Sequence, residues 1–533
     1  MKKEISDKIP YKLLIGFGIF ILGMAYLIEK DLSLPTPITL AVAVVGGLWL
    51  LFVSPSQPEM PFYLLVAYLP FNRVLPGDFG GTFALNLTNL LCALIIVGGF
   101  FRSTKQGAVW QKASLNAPIF LFMFLGAISL MHGSWEYGTW YVLQFITPLK
   151  RWLTPPLLYF MTLLVVRERR VLKTIIVIMM ICVTVVGLMA IRDYIEGGTG
   201  SSIEADRIGG IAEEPNMLAA FFCYYMFILA SFFLCNMSQS AYWLLLIPFL
   251  ICFRGIQVTF SRGGYLSFLA GGLALSFFRN KILFVLTIVL LAAAVLNPVF
   301  LPKGIAYRIN STFKHQGELS EEPGEEPNGE DTERALVDVY KGQNVTLEAS
   351  SESRLAVWRG ALRIIGDYPF WGTGYGTFLS VIPFYTPELR GMQLDAHNSY
   401  LIIAAEMGLP TLFVFLWLLL LAMWKSYRLS KIAKDPFLKA MALGVLAGLF
   451  ALMVANMFGS RMDQEEISGY FWILCALVMR GLSLETEARV APATVVSKKR
   501  RNAARLITPE GVVFPHSLSA SLRRFDERKY EKT

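Results

Sequence analysis

Ile282-Leu-Phe-Val-Leu-Thr-Ile-Val-Leu-Leu-Ala-Ala-Ala-Val-Leu-Asn-Pro-Val-Phe-Leu301 contains no charged residue. At the rise of an α-helix a run of this length spans about 30 Å, the thickness of a bilayer's hydrocarbon core. A helix on the surface of a soluble domain keeps a polar face, whereas this segment, like Thr411–Trp424, is apolar on every face. Runs of this kind recur along the 533-residue chain, which is 55% hydrophobic and only 16% charged. These features exclude a soluble globular class and predict an all-α polytopic membrane protein.

Working outward from that run, apolar spans fall near 12–28, 37–53, 58–72, 83–101, 116–132, 152–166, 171–192, 216–236, 241–260, 264–278, 282–301, 398–424, 436–458 and 467–481. The expected architecture is therefore about 12–14 transmembrane helices with one long outer loop. Residues 1–301 carry the first eleven spans, 302–396 the loop, 397–481 the last three, and 482–533 a basic tail of little stable fold. The apolar run Leu13–Leu27 follows Met1-Lys-Lys but lacks a small-residue cleavage site, and it reads as a retained helix. The six cysteines all lie in apolar runs, so neither a disulfide framework nor a metal site is expected from them.

Lysine and arginine placement sets the expected orientation, because short basic loops stay cytoplasmic. With the amino terminus inside, Arg102–Lys105 with Lys112, Arg167–Arg170, Arg279–Lys281 and Lys425–Lys434 all become cytoplasmic loops. The tail with Lys498-Lys-Arg-Arg501 lands inside as well, where it can meet anionic lipid or serve only as a topogenic segment. The loop 302–396 then faces outside, and its nine Lys/Arg against fourteen Asp/Glu give it a net charge of −5. Gly317 to Glu333, rich in Glu, Pro and Gly, reads as a spacer, and the apolar spacing within 353–365 predicts an amphipathic helix lying on the membrane or the core.

Three polar clusters fall at the outer boundary in this topology. The first is Asp206-Arg207-Ile-Gly-Gly-Ile-Ala-Glu213-Glu214-Pro215-Asn216, where Pro215 suits a first helical turn. The second is Phe260-Ser261-Arg262-Gly263-Gly264-Tyr265; an arginine there runs against the positive-inside bias. Arg254 lies deeper, and a guanidinium inside a span costs at least about 2.5–3.5 kcal/mol unless paired or hydrated, so it is expected to face a cavity. The third cluster is Asp395-Ala-His397-Asn398, followed nine residues later by Glu406 on a different helix face.

Arginine suits a diphosphate because its planar fork donates two parallel hydrogen bonds and keeps its charge when partly desolvated. A histidine imidazole can take a proton from a hydroxyl near neutral pH. Together they describe transfer of a group from a lipid diphosphate to an alcohol. The structural alternatives are an arginine that snorkels to lipid phosphates and a His397 that only caps or orients its helix. Gly372-Thr-Gly374-Tyr-Gly376 reads as a turn returning the chain to the membrane rather than a dinucleotide loop, and His132, His315 and His516 have no metal-ligand spacing.

This ordered set resembles the O-antigen ligase and O-antigen polymerase family of bacterial membrane glycosyltransferases. The matching pieces are Arg207 with Glu214-Pro-Asn-Met-Leu-Ala219, Phe260–Tyr265, Arg354 with Trp358, the glycine turn, and His397-Asn-Ser-Tyr-Leu with Glu406-Met-Gly408-Leu-Pro. The resemblance, over roughly residues 200–425, implies a C-type glycosyltransferase that uses undecaprenyl-diphosphate-linked glycans without metal, nucleotide sugar or other cofactor. It implies Arg207 and Arg262 on the leaving diphosphate and His397 on the acceptor hydroxyl, with Arg354 helping from the loop to bind substrate; Arg254, Asn216, Asn398 and Glu406 are further candidates for binding substrate. Expected partners are the lipid-linked donor, a glycan, lipid or protein acceptor, membrane lipids and polysaccharide-assembly proteins, with no nucleic acid. The competing class is a transporter or flippase for a lipid-linked or anionic solute, with Arg254 and Glu406 lining its path.

Overall fold

The computed structural model describes residues 48, 50–74, 86–106, 111–197, 207–296, 313–315, 345–347, 349–389, 395–459, 462 and 464–505. The span predicted at 12–28, most of the one at 37–53 and the Glu-rich spacer Gly317 to Glu333 lie outside the described residues.

Apolar runs become helices in the predicted order. These are α1 Glu59–Tyr68, α2 Leu87–Gln106, α3 Asn116–Tyr137, α4 Thr139–Val165, α5 Arg169–Gly197, α6 Pro215–Cys235, α7 Leu246–Val258, α8 Arg262–Arg279 and α9 Lys281–Leu296. A two-stranded antiparallel ladder, β1 Phe313–His315 and β2 Val345–Leu347, precedes α10 Ala349–Asp367 and α11 Phe378–Tyr385. The chain re-enters the bundle as α12 Ser399–Ile432, α13 Pro436–Ala455 and α14 Glu465–Arg505.

Among the described residues, seven helices are long and apolar enough to cross a membrane, and three shorter apolar helices accompany them. The protein is an all-α, multi-pass membrane protein. Two segments differ from expectation. The helix predicted at 152–166 begins at Thr139 and accommodates Pro148, Pro155 and Pro156 within it. The helix predicted at 398–424 runs to Ile432 and is broken at Gly408, whose φ of 81° lies outside helical space.

The core centres on α6 and α13. Almost every residue of α6 is buried, as expected of an all-apolar helix surrounded by other helices. Gly444 and Gly448 let α13 approach it closely: a Cβ at Gly448 would overlap the Tyr224 carbonyl oxygen, and one at Gly444 would come within 2.5 Å of Ser231 Oγ. The Ser231 hydroxyl donates to Ala440 O across this crossing at 2.8 Å.

One end of the bundle gathers the basic loops. Arg102 pairs with Glu59 at 2.6 Å, Arg167 donates to the Ser103 hydroxyl, and Lys173 pairs with Asp435, the residue that caps α13, at 3.1 Å. Buried Arg480 donates to the carbonyls of Val166 and Arg167 at 2.7 and 3.1 Å, closing the end of α4 with a cation suited to a helix carboxyl terminus. The chain divides into two compact units, Met1–Leu482 and Ser483–Thr533. The described part of the second, Ser483–Arg505, is helical where little fold was expected.

Candidate active site

Of the helices that begin at the opposite end of the bundle, α6, α8 and α12 are each joined to a neighbour by a polar link. Pro215 opens α6, Ser261 caps α8 by accepting from Gly264 N at 3.2 Å, and Asn398 caps α12 by accepting from Tyr400 N and Leu401 N at 3.0 and 3.2 Å. The Ser261 hydroxyl also donates to Asn216 Oδ1 at 2.8 Å, joining the start of α8 to that of α6. Ser399 ties α12 to the turn after α13, its N–H donating to Asn456 O at 2.8 Å and its hydroxyl to Gly459 O at 2.7 Å. Tyr224 of α6 donates to Asn456 Oδ1 at 2.9 Å, and Gly263 of α8 packs on Phe458 in that turn.

Among the described residues three non-glycine residues have positive φ: Glu213 at 60°, Phe260 at 48° and His397 at 44°. Each stands immediately before the residue that caps α6, α8 or α12. Left-handed backbone at such residues costs on the order of 1–3 kcal/mol and persists only where the surrounding structure holds it. Strain is thus placed at the entry to all three helices, whose amino ends carry partial positive charge and converge.

Arg207 and Arg262 flank this convergence. The Arg207 guanidinium donates from Nε to Thr259 O and from Nη2 to Asn216 Oδ1, both at 3.2 Å, and Ile208 N donates to Val258 O at 3.2 Å. Asn216 is fixed in turn by donating to Glu214 Oε1 at 3.0 Å. Arg262 occupies the first turn of α8 and remains partly exposed. Arg207 and Ser261, the residue before Arg262, are therefore joined through Asn216.

His397 sits on a tight Asx turn: its N–H donates to Asp395 Oδ1 at 3.1 Å, and Nδ1 lies 3.4 Å from Asp395 Oδ2. Both side chains are partly exposed. The segment before it is pinned by α10, where Trp358 Nε1 donates to Ala396 O at 2.8 Å. The predicted amphipathic helix within Ala349–Asp367 faces the protein: Val357, Ala361 and Ile364 are buried with Phe378, Ile382, Ala396 and Ala405. Arg354 lies one turn before Trp358 on the same helix face.

Other predicted residues take different places. Asn398 is occupied as the helix cap of α12. Glu406 is buried and its Oε1 accepts from Phe378 N at 3.0 Å, while its carbonyl accepts from Ser129 Oγ and Gly374 N at 2.8 and 3.0 Å. The glycine turn uses Gly372, Gly374 and Gly376 at φ of 67°, 106° and 82° to lay its backbone against this break in α12. Arg254 was expected to face a cavity; it lies instead on the exposed side of α7, donating to Gln257 Oε1 at 3.3 Å and stacking over the Tyr194 ring at 5.4 Å.

Sequence reasoning passed over Arg73, which pairs with Glu466 at 2.5 Å and Glu213 at 3.4 Å and so anchors the loop before α6. Its position in a loop that the charge count assigns to the outside was the available signal, the same one that marked Arg262. Asn456 and Phe458 carry no charge and gave no signal.

Residues 247–416, from α7 into α12, match a family model described as O-antigen ligase. A search among curated proteins found no match. The matched stretch includes Arg254, Arg262, Arg354, His397, Asn398 and Glu406, whereas Arg207 and Asn216 lie before it and are tied to it by hydrogen bonds to Thr259 and Ser261. The chain is a multi-pass membrane protein, and its residues 247–416 are similar to the O-antigen ligase family.

Proposed function

We propose that this protein moves a glycan from a membrane lipid diphosphate, of the undecaprenyl type, to an acceptor hydroxyl, on the periplasmic side of the inner membrane. The observation that carries the reading is the convergence of three strained helix entries, at Glu213, Phe260 and His397, on one end of the bundle where Arg207 and Arg262 also lie. Helix amino ends with two guanidinium groups suit a dianionic leaving group, and electrostatic stabilisation of the departing diphosphate is then the main catalytic term. Arg207, held through Asn216, keeps a fixed fork; Arg262, on the first turn of α8, closes on the other side.

In this reading His397 takes the proton of the acceptor hydroxyl as the new glycosidic bond forms and the sugar–phosphate bond breaks. Asp395 faces Nδ1, which fixes the ring and leaves Nε2 for the acceptor. Arg354 extends the donor site from α10. Polymerase and ligase chemistry share these steps and differ in the acceptor.

The test is reconstitution of the full chain with a lipid-diphosphate glycan and an acceptor, following release of lipid diphosphate and the mass gain of the acceptor. Movement of the lipid across the bilayer with no bond cleavage would replace this reading with a transporter.

A further inference from the structure

Tyr368–Pro387 is a run of twenty residues without a charge, set inside a loop that the charge count assigns to water. Within it α11, Phe378-Leu-Ser-Val-Ile-Pro-Phe-Tyr385, is apolar on both faces. Its inner face, Phe378 and Ile382, is buried in the cluster with α10. The outer face is bare: Leu379 is 60% and Phe384 77% exposed, and the preceding Phe370 and Trp371 are 69% and 52% exposed. A short helix that is apolar all round has no equilibrium place in water.

The neighbours of this face define what covers it. Leu409 N donates to Pro369 O at 2.8 Å, and a Cβ on Gly408 would overlap the Phe370 carbonyl, so Phe370 and Trp371 abut the start of the membrane-spanning part of α12. From there α12 exposes Leu409, Phe413, Trp417, Leu420 and Trp424 at three- and four-residue spacing, a single stripe along a span. That stripe is lipid-facing by the span's own composition, and Phe370 and Trp371 continue it. The α3–α4 tip adds exposed Trp135 and Trp140, and its Tyr141 hydroxyl donates to Tyr375 O at 2.6 Å. Exposed Arg359 and Arg363 of α10 complete an aromatic and basic set of the kind that seats in a headgroup layer.

We infer that Phe370, Trp371, Leu379 and Phe384 dock into the headgroup–acyl boundary of the phospholipid bilayer, making the 368–387 segment an interfacial anchor that fixes α10, and through Trp358 the His397 segment, at membrane level. The anchor is independent of which reaction the site performs.

The experiment places a bimane probe on single introduced cysteines, L379C and F384C, in the full chain reconstituted in phosphatidylcholine–phosphatidylglycerol vesicles, with labelling of the unsubstituted chain subtracted. F413C on the span stripe serves as the lipid reference and G366C, at an open position on α10, as the water reference. Quenching of L379C and F384C by shallow-brominated phosphatidylcholine to within about twofold of F413C, with protection from aqueous iodide, is the expected result. Iodide quenching at the level of G366C without bromolipid quenching overturns the inference. Shielding from both quenchers also overturns it, since protein would then cover the face. If F384C fails to insert, L379C decides alone, and because the readout needs no turnover, it decides equally well in a preparation that has lost activity.

Discussion

Arg207 donates to Asn216 Oδ1 at 3.2 Å, and the same oxygen accepts the Ser261 hydroxyl at 2.8 Å, so one amide sets the position of a guanidinium on one side and of a helix entry on the other. Replacing Asn216 with alanine removes both contacts without touching either arginine. Glycan transfer by the purified variant is expected to fall by about 10- to 100-fold, the worth of a hydrogen bond to a charged group. Arg207→Lys and Arg262→Lys should each lose a comparable factor, because an ammonium cannot reproduce the two-pronged grip. Near-wild-type transfer in Asn216→Ala would separate Arg207 from the diphosphate.

His397 has two separable properties, an imidazole and a left-handed backbone with φ of 44°. His397→Gly relieves the backbone and deletes the ring, whereas His397→Ala deletes the ring and keeps the strain. Both should lose transfer, with the glycine variant at least as thermally stable as the alanine variant. A glycine variant that still transfers at the wild-type rate would reduce His397 to a helix entry.

Glu406 Oε1 accepts from the buried Phe378 N–H. Glu406→Ala leaves the buried Phe378 N–H without that acceptor and is expected to lower stability by about 1–3 kcal/mol in denaturant titration, while Glu406→Gln, which keeps an acceptor, should lose less. Gly408→Ala should cost about 1–3 kcal/mol or more, because it combines a positive φ with overlap on the Phe370 carbonyl.

The α6–α13 crossing tolerates no side chain at Gly448. Gly448→Val is expected to destabilise the bundle by about 1–3 kcal/mol or to reduce the amount of folded protein recovered, measured by thermal melting in detergent. A neutral effect would mean the two helices can separate without cost.

Orientation is tested by accessibility to an impermeant maleimide in intact cells. Gly366→Cys, on α10, should label from outside, and Lys431→Cys, at the end of α12, only after permeabilisation. The reverse pattern would invert the site's compartment.

The helices were legible because apolar runs long enough to span a bilayer leave few alternatives. Breaks were less so. Hydropathy registers composition, and the interruption of α12 is a backbone event at Gly408 set by the glycine turn packed against it 36 residues away from Gly372. For the same reason α4 extends thirteen residues before the predicted start, through Gln144, Lys150 and Arg151, where the apolar run is interrupted although the helix continues. In the site, charge drew attention to Arg207, Arg262 and His397. It also drew attention to Arg254 and Glu406, where the structure gives the charge a local partner. Uncharged Asn456 and Phe458, which hold the helix entries together, had no such marker, and Trp358, which pins the His397 segment, stood out only through the resemblance.

Arg480 reaches back 314 residues to the carbonyl of Val166, and on the same helix the Tyr470 hydroxyl reaches 404 residues to the carbonyl of Val66 at 2.6 Å. These contacts exist only once the last span has been synthesised. During biogenesis the earlier helices wait with those carbonyls open, and a chain cut short before Tyr470 lacks the piece that locks α1 and α4 into the bundle. Ribosome stalling or truncation near the carboxyl end therefore yields an unlocked bundle for membrane proteases to find, even though every residue of the proposed site has already been made.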